Sequence, residues 1–145
     1  MTSKREQVLS PLFEQVRRVP GATVRRSEAL PRAVTAGGLV ILRDGEPGEP
    51  DVTLNPRTEF YSHRAEIEAF VTQPASGGGE APLDALLVDI GTGLAADRSL
   101  GGLAENLTWG APATSVLVIE GAAPILTVRL TVTIESLVSA PLQNA

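Results

Sequence analysis

The chain has 145 residues, of which 43% are apolar and 20% are charged, and its net charge at neutral pH is −5. This length suits one globular domain over residues 1–145 and leaves little room for a second core. The acidic balance argues against a basic nucleic-acid-binding surface, and the absence of cysteine excludes disulfides and thiol chemistry. We expect no signal peptide, since the first residues are charged, and no apolar run approaches the ~20 residues of a membrane-spanning helix.

The first predicted element is a helix near the start of the chain. Ser3 and Glu6 have the spacing of a capping box, in which each side chain satisfies a backbone N–H at the helix start. Apolar residues then recur at helical spacing: Val8, Leu9, Leu12, Phe13 and Val16. Pro11 lies inside this stripe, but the stripe continues across it, so we predict one helix that ends before Pro20-Gly21.

Strands and an acidic loop follow. Ala22–Arg26 predicts a short strand, and the apolar run Gly38–Arg43 predicts a central strand buried on both faces. The acidic, Gly- and Pro-rich stretch Asp44–Pro50 predicts a turn or mobile loop. Apolar and polar residues alternate over Arg57–Gln73, which predicts a long, half-exposed strand.

A flexible segment, a second helix and further strands follow in the second half of the chain. Pro74–Pro82, with Gly77, Gly78 and Gly79 at its centre, predicts a flexible segment. A stripe of leucines predicts a second helix over 83–96. Strands are predicted at 107–109 and 115–120, and strict alternation over 125–136 predicts the clearest strand.

This order of elements predicts an α+β fold. Short connections and alternating strands favour an antiparallel or mixed sheet with one polar face and two helices packed on the other.

The chain offers little for catalysis, cofactor binding or metal binding. His63 is the sole histidine and lies on the apolar side of its predicted strand, so we interpret it as a packing or interface residue. The acidic loop lacks EF-hand spacing, and no glycine-rich segment has the pattern of a phosphate-binding loop. We therefore predict no catalytic, cofactor-binding or metal-binding residues and no cofactor. A small enzyme of transferase type is the alternative to this prediction.

The polar faces of the long strands carry alternating charges: Arg57, Glu59, Arg64, Glu66, Glu68, Arg129 and Glu135. In an isolated domain these residues form weak cross-strand pairs on a solvated face. In an assembly they form ion pairs between subunits, for which arginine is well suited. The sequence favours neither arrangement over the other.

Several segments, in this order and spacing, resemble the tail terminator proteins (also called tail completion or minor tail proteins) of long-tailed, non-contractile bacteriophages, prophages and gene transfer agents. The resemblance covers nearly the whole chain. It rests on Met1–Leu9 (MTSKREQVL), Val19–Val24 (VPGATV), Glu28–Pro31 (EALP), Gly38–Gly45 (GLVILRDG), Pro47–Pro50 (PGEP), His63–Glu68 (HRAEIE), Ala96–Leu103 (ADRSLGGL) and Glu120–Ile125 (EGAAPI).

The resemblance implies a structural virion protein at the neck end of the tail, assembled in the bacterial cytoplasm. Such proteins form a hexameric ring that caps the tail tube, stops its polymerisation and docks the head connector or stopper protein. Genome DNA passes through the ring without specific binding, a role that an acidic protein suits. A different ring-forming connector or stopper of the neck is the nearest alternative.

Under this interpretation two loops, 44–56 and 74–82, order on meeting the tube or a neighbouring subunit. The candidate interface residues are then the charges and glycines of these loops together with the strand charges. They are Asp44, Glu46, Glu49, Arg57, Arg64, Glu66, Glu68, Gly77, Gly78, Gly79 and Arg129.

Overall fold

The computed structural model describes residues 3–27, 38–54, 57–73, 80–118 and 123–138. These residues form two helices and a mixed sheet of seven strands, with both helices packed against the sheet, which confirms the predicted α+β class. The elements in chain order are α1 Lys4–Arg17, β1 Thr23–Arg26, β2 Leu39–Glu46, β3 Asp51–Thr53, β4 Thr58–Thr72, α2 Glu80–Ala95, β5 Asn106–Trp109, β6 Ala113–Leu117 and β7 Ile125–Val138.

The sheet is organised around the long antiparallel pair β4 and β7. The main strand order is β1-β2-β4-β7-β5. Only the β1–β2 pair is parallel among the described strands. Both β5 and β6 pair with β7 on its far side, β6 beside the beginning of β7 and β5 beside its later part. Short β3 pairs with the beginning of β4.

Helix α1 begins as the sequence predicts. The Ser3 hydroxyl accepts a hydrogen bond from the backbone N–H of Glu6 at 3.3 Å, which caps the helix start. The Glu6 carboxylate pairs with Arg26 of β1 rather than completing the capping box. The helix continues through Pro11, and its apolar stripe packs into the core, with Val8, Leu9, Leu12 and Val16 buried and Phe13 half-buried. The amphipathic pattern thus prevails over the local cost of the proline.

Helix α2 packs beside α1 through a small residue. It buries Leu83, Leu86, Ile90 and Leu94 against the sheet. A Cβ added at Gly93 would lie 3.0 Å from the carbonyl oxygen of Gln15 in α1, so glycine permits this close approach. The buried Gln15 side chain joins the helices further: its amide donates to the carbonyl oxygen of Asp97, and its oxygen accepts from the Asp97 N–H.

The acidic loop prediction was wrong in part. Asp44, Gly45 and Glu46 continue β2, and Asp51–Thr53 form β3, a strand that the sequence did not indicate. The pairing of β2 with β4 shifts register between Arg43 and Glu46, and Gly45 lies in this bulge with φ of 66°. Glycine adopts this backbone conformation without steric cost, so the strand bends instead of ending.

The start of α2 also differs from the prediction. Glu80–Pro82 were expected in the flexible segment but form the first turn of the helix. An acidic residue and a proline are both favourable in a first turn, where the backbone N–H groups have no helical partner. Gly77, Gly78 and Gly79 lie outside the described residues.

Strand β2 is buried on both faces, as predicted. Val40 and Leu42 belong to the main core beneath the helices. Leu39 and Ile41 point to the opposite, open face of the sheet, where they form a second buried cluster with Phe70. This face is therefore polar along most of β4 and carries a buried apolar cluster at one end.

Candidate assembly surfaces

An ion-pair network joins α1, β1 and β2. The Arg26 guanidinium donates to both Glu6 oxygens, at 2.6 and 2.9 Å, and its Nε donates to the Asp44 carboxylate at 2.9 Å. Arg5 lies 3.7 Å from the other Asp44 oxygen. Hydrogen bonds from Arg26 hold the pKa of Glu6 below its ordinary value, and the two carboxylates raise the pKa of Arg26. Asp44, a predicted interface residue, thus fixes this chain's own helix to its sheet.

His63 lies in the interior beside this network. Its side chain is buried, and Nε2 donates a hydrogen bond to the carbonyl oxygen of Asp44. Burial lowers the pKa of the imidazole, because the charged form loses its hydration. The ring therefore serves as a neutral packing group that satisfies a strand carbonyl at the bulge.

The open face of the sheet holds two crossed ion pairs. Glu66 faces Arg43 and Glu68 faces Arg129 in the strand register, yet each glutamate pairs diagonally. Arg43 Nε lies 2.5 Å from Glu68, and Arg129 pairs with Glu66. Antiparallel strands bring such diagonal neighbours within reach of long side chains. This crossed arrangement ties β2, β4 and β7 together across their polar face.

The remaining predicted charges lie around these pairs. Arg64 lies 3.8 Å from Glu46, and Arg57 lies 3.2 Å from Glu59. Glu49 is exposed in the connection between β2 and β3. The Arg64–Glu46 pair is exposed on both sides and contributes little, about 0–1 kcal/mol. The structure thus brings together most of the predicted strand charges as pairs within one chain.

Two apolar surfaces were missed by sequence reasoning. The first is the β6 edge, residues Ala113–Val118, where Val116, Leu117 and Val118 are 55%, 43% and 75% exposed. A groove of about 490 Å³ separates this edge from α2. Leu83, Leu87 and Leu126 form its floor, while Glu80 and Asp84 lie at its rim. The sequence feature that could have indicated this surface is the run of three consecutive apolar residues Val116-Leu117-Val118, because a half-exposed strand usually alternates apolar and polar residues.

The second surface is the hairpin end, formed by β3, Leu54, the first residues of β4 and Leu137. Val52 is 43%, Leu54 76% and Leu137 44% exposed. Val52 lies opposite Glu59, whereas Leu137 lies opposite Phe60. Since neighbouring residues of a strand point to opposite faces, the hairpin end exposes apolar side chains on both faces.

Metal-binding and membrane-spanning features were sought over the same residues. Within the described ranges, no group of three or more His, Cys, Asp and Glu side chains is placed to hold a metal ion. No helix there is both long and apolar enough to cross a bilayer. Comparison with known proteins adds no assignment, since neither a protein-family model nor a curated protein matches the chain.

Proposed function

We propose that this chain is a structural protein of a phage-type tail, a tail terminator whose six copies form a ring. The ring caps the tail tube, stops its polymerisation and offers the docking surface for the head connector. The proposal is supported by the ordered resemblance of segments along the chain and by exposed apolar surfaces suited to protein contacts.

The observation that carries the proposal is the hairpin end. Strand β2 pairs with β4 only as far as Arg64, so residues 58–63 of β4 extend beyond it, flanked by β3 and the end of β7. Exposed valine and leucine on both faces of such an extension favour contact with another protein, because that contact removes their apolar surface from water.

The position of the hairpin end also suits contact with the tail tube along the axis of the proposed ring. It pairs with the last residues of β7, whereas the β6 edge pairs with the first, so the two surfaces lie at opposite ends of the long strands. In a ring whose axis follows these strands, the hairpin ends of all copies point the same way along the axis. They then form an apolar annulus that contacts the terminal ring of the tube.

The charge of the chain suits passage of DNA through such a ring. Each copy carries a net charge of −5, so six copies repel the phosphate backbone instead of binding it. No cofactor or reaction is required for these roles.

The test uses tube subunits polymerising with and without this protein, observed by electron microscopy. Wild-type protein is expected to bind tube ends and stop elongation. Val52→Asp with Leu54→Asp removes the apolar hairpin end and should abolish end binding. Val88→Asp is the matched control, since Val88 is 60% exposed on α2 and is not part of the hairpin end. Tubes that elongate unchanged in the presence of wild-type protein contradict the proposal.

A further inference from the structure

In the described part of the chain, β1 is the outer strand on one side of the sheet, and β5 and β6 are the outer strands on the other side. There, β1 pairs with β2 alone and β6 pairs with β7 alone. Strand β6 carries no charged residue, and all of its residues are exposed. Native proteins usually protect an edge of this kind with charges or by covering it, because its free N–H and C=O groups accept another strand.

The two open edges lie at the same level along the strands. Thr23 of β1 lies opposite Leu39, and Leu39 lies opposite Phe70. Phe70 lies opposite Thr127, and Thr127 lies opposite Ser115 of β6. Following the strand register across the sheet from Val24 in the same way leads to Thr114 of β6. A neighbouring copy can therefore meet β6 with its β1 without any shift along the strand direction.

Strand directions fit the same arrangement. β1 and β2 run parallel, and each later step across the sheet, to β4, β7 and β6, reverses the direction. Consequently β1 and β6 run in opposite directions. A copy rotated about an axis along the strands keeps its directions, so its β1 would pair antiparallel with β6, the arrangement with better-aligned hydrogen bonds.

The charges beside the two edges are complementary. Glu80 and Asp84 of α2 flank the groove beside β6. Arg17 and Arg18 are exposed at the end of α1, a few residues before Thr23 of the other outer strand, and Arg18 also lines a groove between α1 and residues 96–103. Pairing of β1 with β6 in a second copy brings the end of that copy's α1 towards this acidic rim.

We propose that the β6 edge and its groove bind β1 and the end of α1 of a second copy of this chain. The contact joins different surfaces on the two copies, and neighbouring copies are not translated along the strand direction. A head-to-tail contact without such a translation can close into a ring, whereas one with a translation gives a filament. This inference rests on the proposed ring and identifies the subunit interface within it.

Paired cysteines provide the first test, since the natural chain has none. Continuing the register places Arg25 of one copy opposite Ala113 of the next, and both residues are exposed. Oxidation of the variant carrying both Arg25→Cys and Ala113→Cys is expected to give a ladder of covalent oligomers ending at a closed ring. Each single variant has one thiol per chain, so its oxidation can give a covalent dimer at most and never a ladder. Absence of the ladder from the double variant overturns the proposal.

Charge exchange provides the second test. Glu80→Lys with Asp84→Lys should weaken self-association about tenfold, as should Arg17→Glu with Arg18→Glu. Combining all four substitutions should restore it. Asp89→Lys, on the same helix outside the groove, is the control and should leave association unchanged. Failure of the combined variant to recover, with each variant folded by circular dichroism, contradicts the interface.

These outcomes separate the interface from the proposed function. Rings that cap tubes without the 25–113 cross-link would refute the edge pairing and leave the terminator function standing. Cross-linked rings that ignore tubes would refute the function and leave the edge pairing standing.

Discussion

Gly45 packs directly on the backbone of Arg64: a Cβ added at Gly45 would stand 1.8 Å from the Arg64 carbonyl oxygen. Such an approach is impossible for any other residue without moving a strand. The bulge that Gly45 forms turns an acidic, loop-like stretch into the continuation of β2, and it brings the Asp44 carbonyl to His63.

Gly45→Ala should therefore destabilise the fold strongly, by about 3 kcal/mol or more, since it adds both backbone strain and a clash. Gly48→Ala is the matched control, because Gly48 also has positive φ but would meet nothing within 4 Å. Its cost should be about 1 kcal/mol, from the backbone conformation alone. Urea unfolding followed by the fluorescence of Trp109 measures both, and equal losses would contradict the role of the Arg64 contact.

Arg26→Lys should cost about 1 kcal/mol of folding free energy. Lysine keeps the charge but cannot donate to both Glu6 oxygens and to Asp44 together. Arg17→Lys is the comparison, since Arg17 pairs with Glu14 where both side chains are mostly exposed. Its effect should stay within about 0.5 kcal/mol. If Arg26→Lys lowers the folding free energy no more than Arg17→Lys does, the ion-pair network does not anchor α1.

Acid should weaken the fold in two stages. Burial lowers the pKa of His63, so the unfolded chain binds a proton more readily, and stability falls as pH drops below the unfolded pKa of about 6.5. The slope is at most about 1.4 kcal/mol per pH unit and ends below the folded pKa. After burial, the Asp44 carbonyl and the Asp44 carboxylate act to raise the pKa of the imidazole, whereas the charge of Arg5 acts to lower it. His63→Gln should flatten the pH dependence between about 7.5 and 5.

The second stage comes from Glu6. Its lowered pKa means that its contribution is present above the ordinary value of 4.5 and is lost as pH falls below it. Urea midpoints measured at successive pH values separate the stages, because Glu6→Gln should remove only the lower one. A pH profile unchanged by His63→Gln would contradict the first stage.

The long elements were predictable because their patterns repeat over many residues. Alternation over β4 and β7 and the apolar stripe of α1 indicated strand, helix and buried face together, despite Pro11. Side-chain partners were not predictable in the same way. Arg26 finds Glu6, 20 residues away, only because β1 passes beside the start of α1.

The assembly surfaces were harder to predict for a related reason. Whether Asp44–Glu46 form strand or loop depends on the contact of Gly45 with Arg64, and the local sequence pattern does not show this contact. The exposure of Val116 depends on β6 being an outer strand, and strand order is a property of the whole sheet. Charges such as Arg43 and Glu68 pair within the chain for the same reason, through strands distant in sequence.

The most direct test of the account is the mass of the purified protein in solution, measured by light scattering across protein concentration and salt. We predict a discrete species at six times the chain mass of 15.2 kDa, which in the variant Glu80→Lys with Asp84→Lys dissociates at an about tenfold higher protein concentration. A monomer at every concentration, both alone and with tube subunits present, would contradict it.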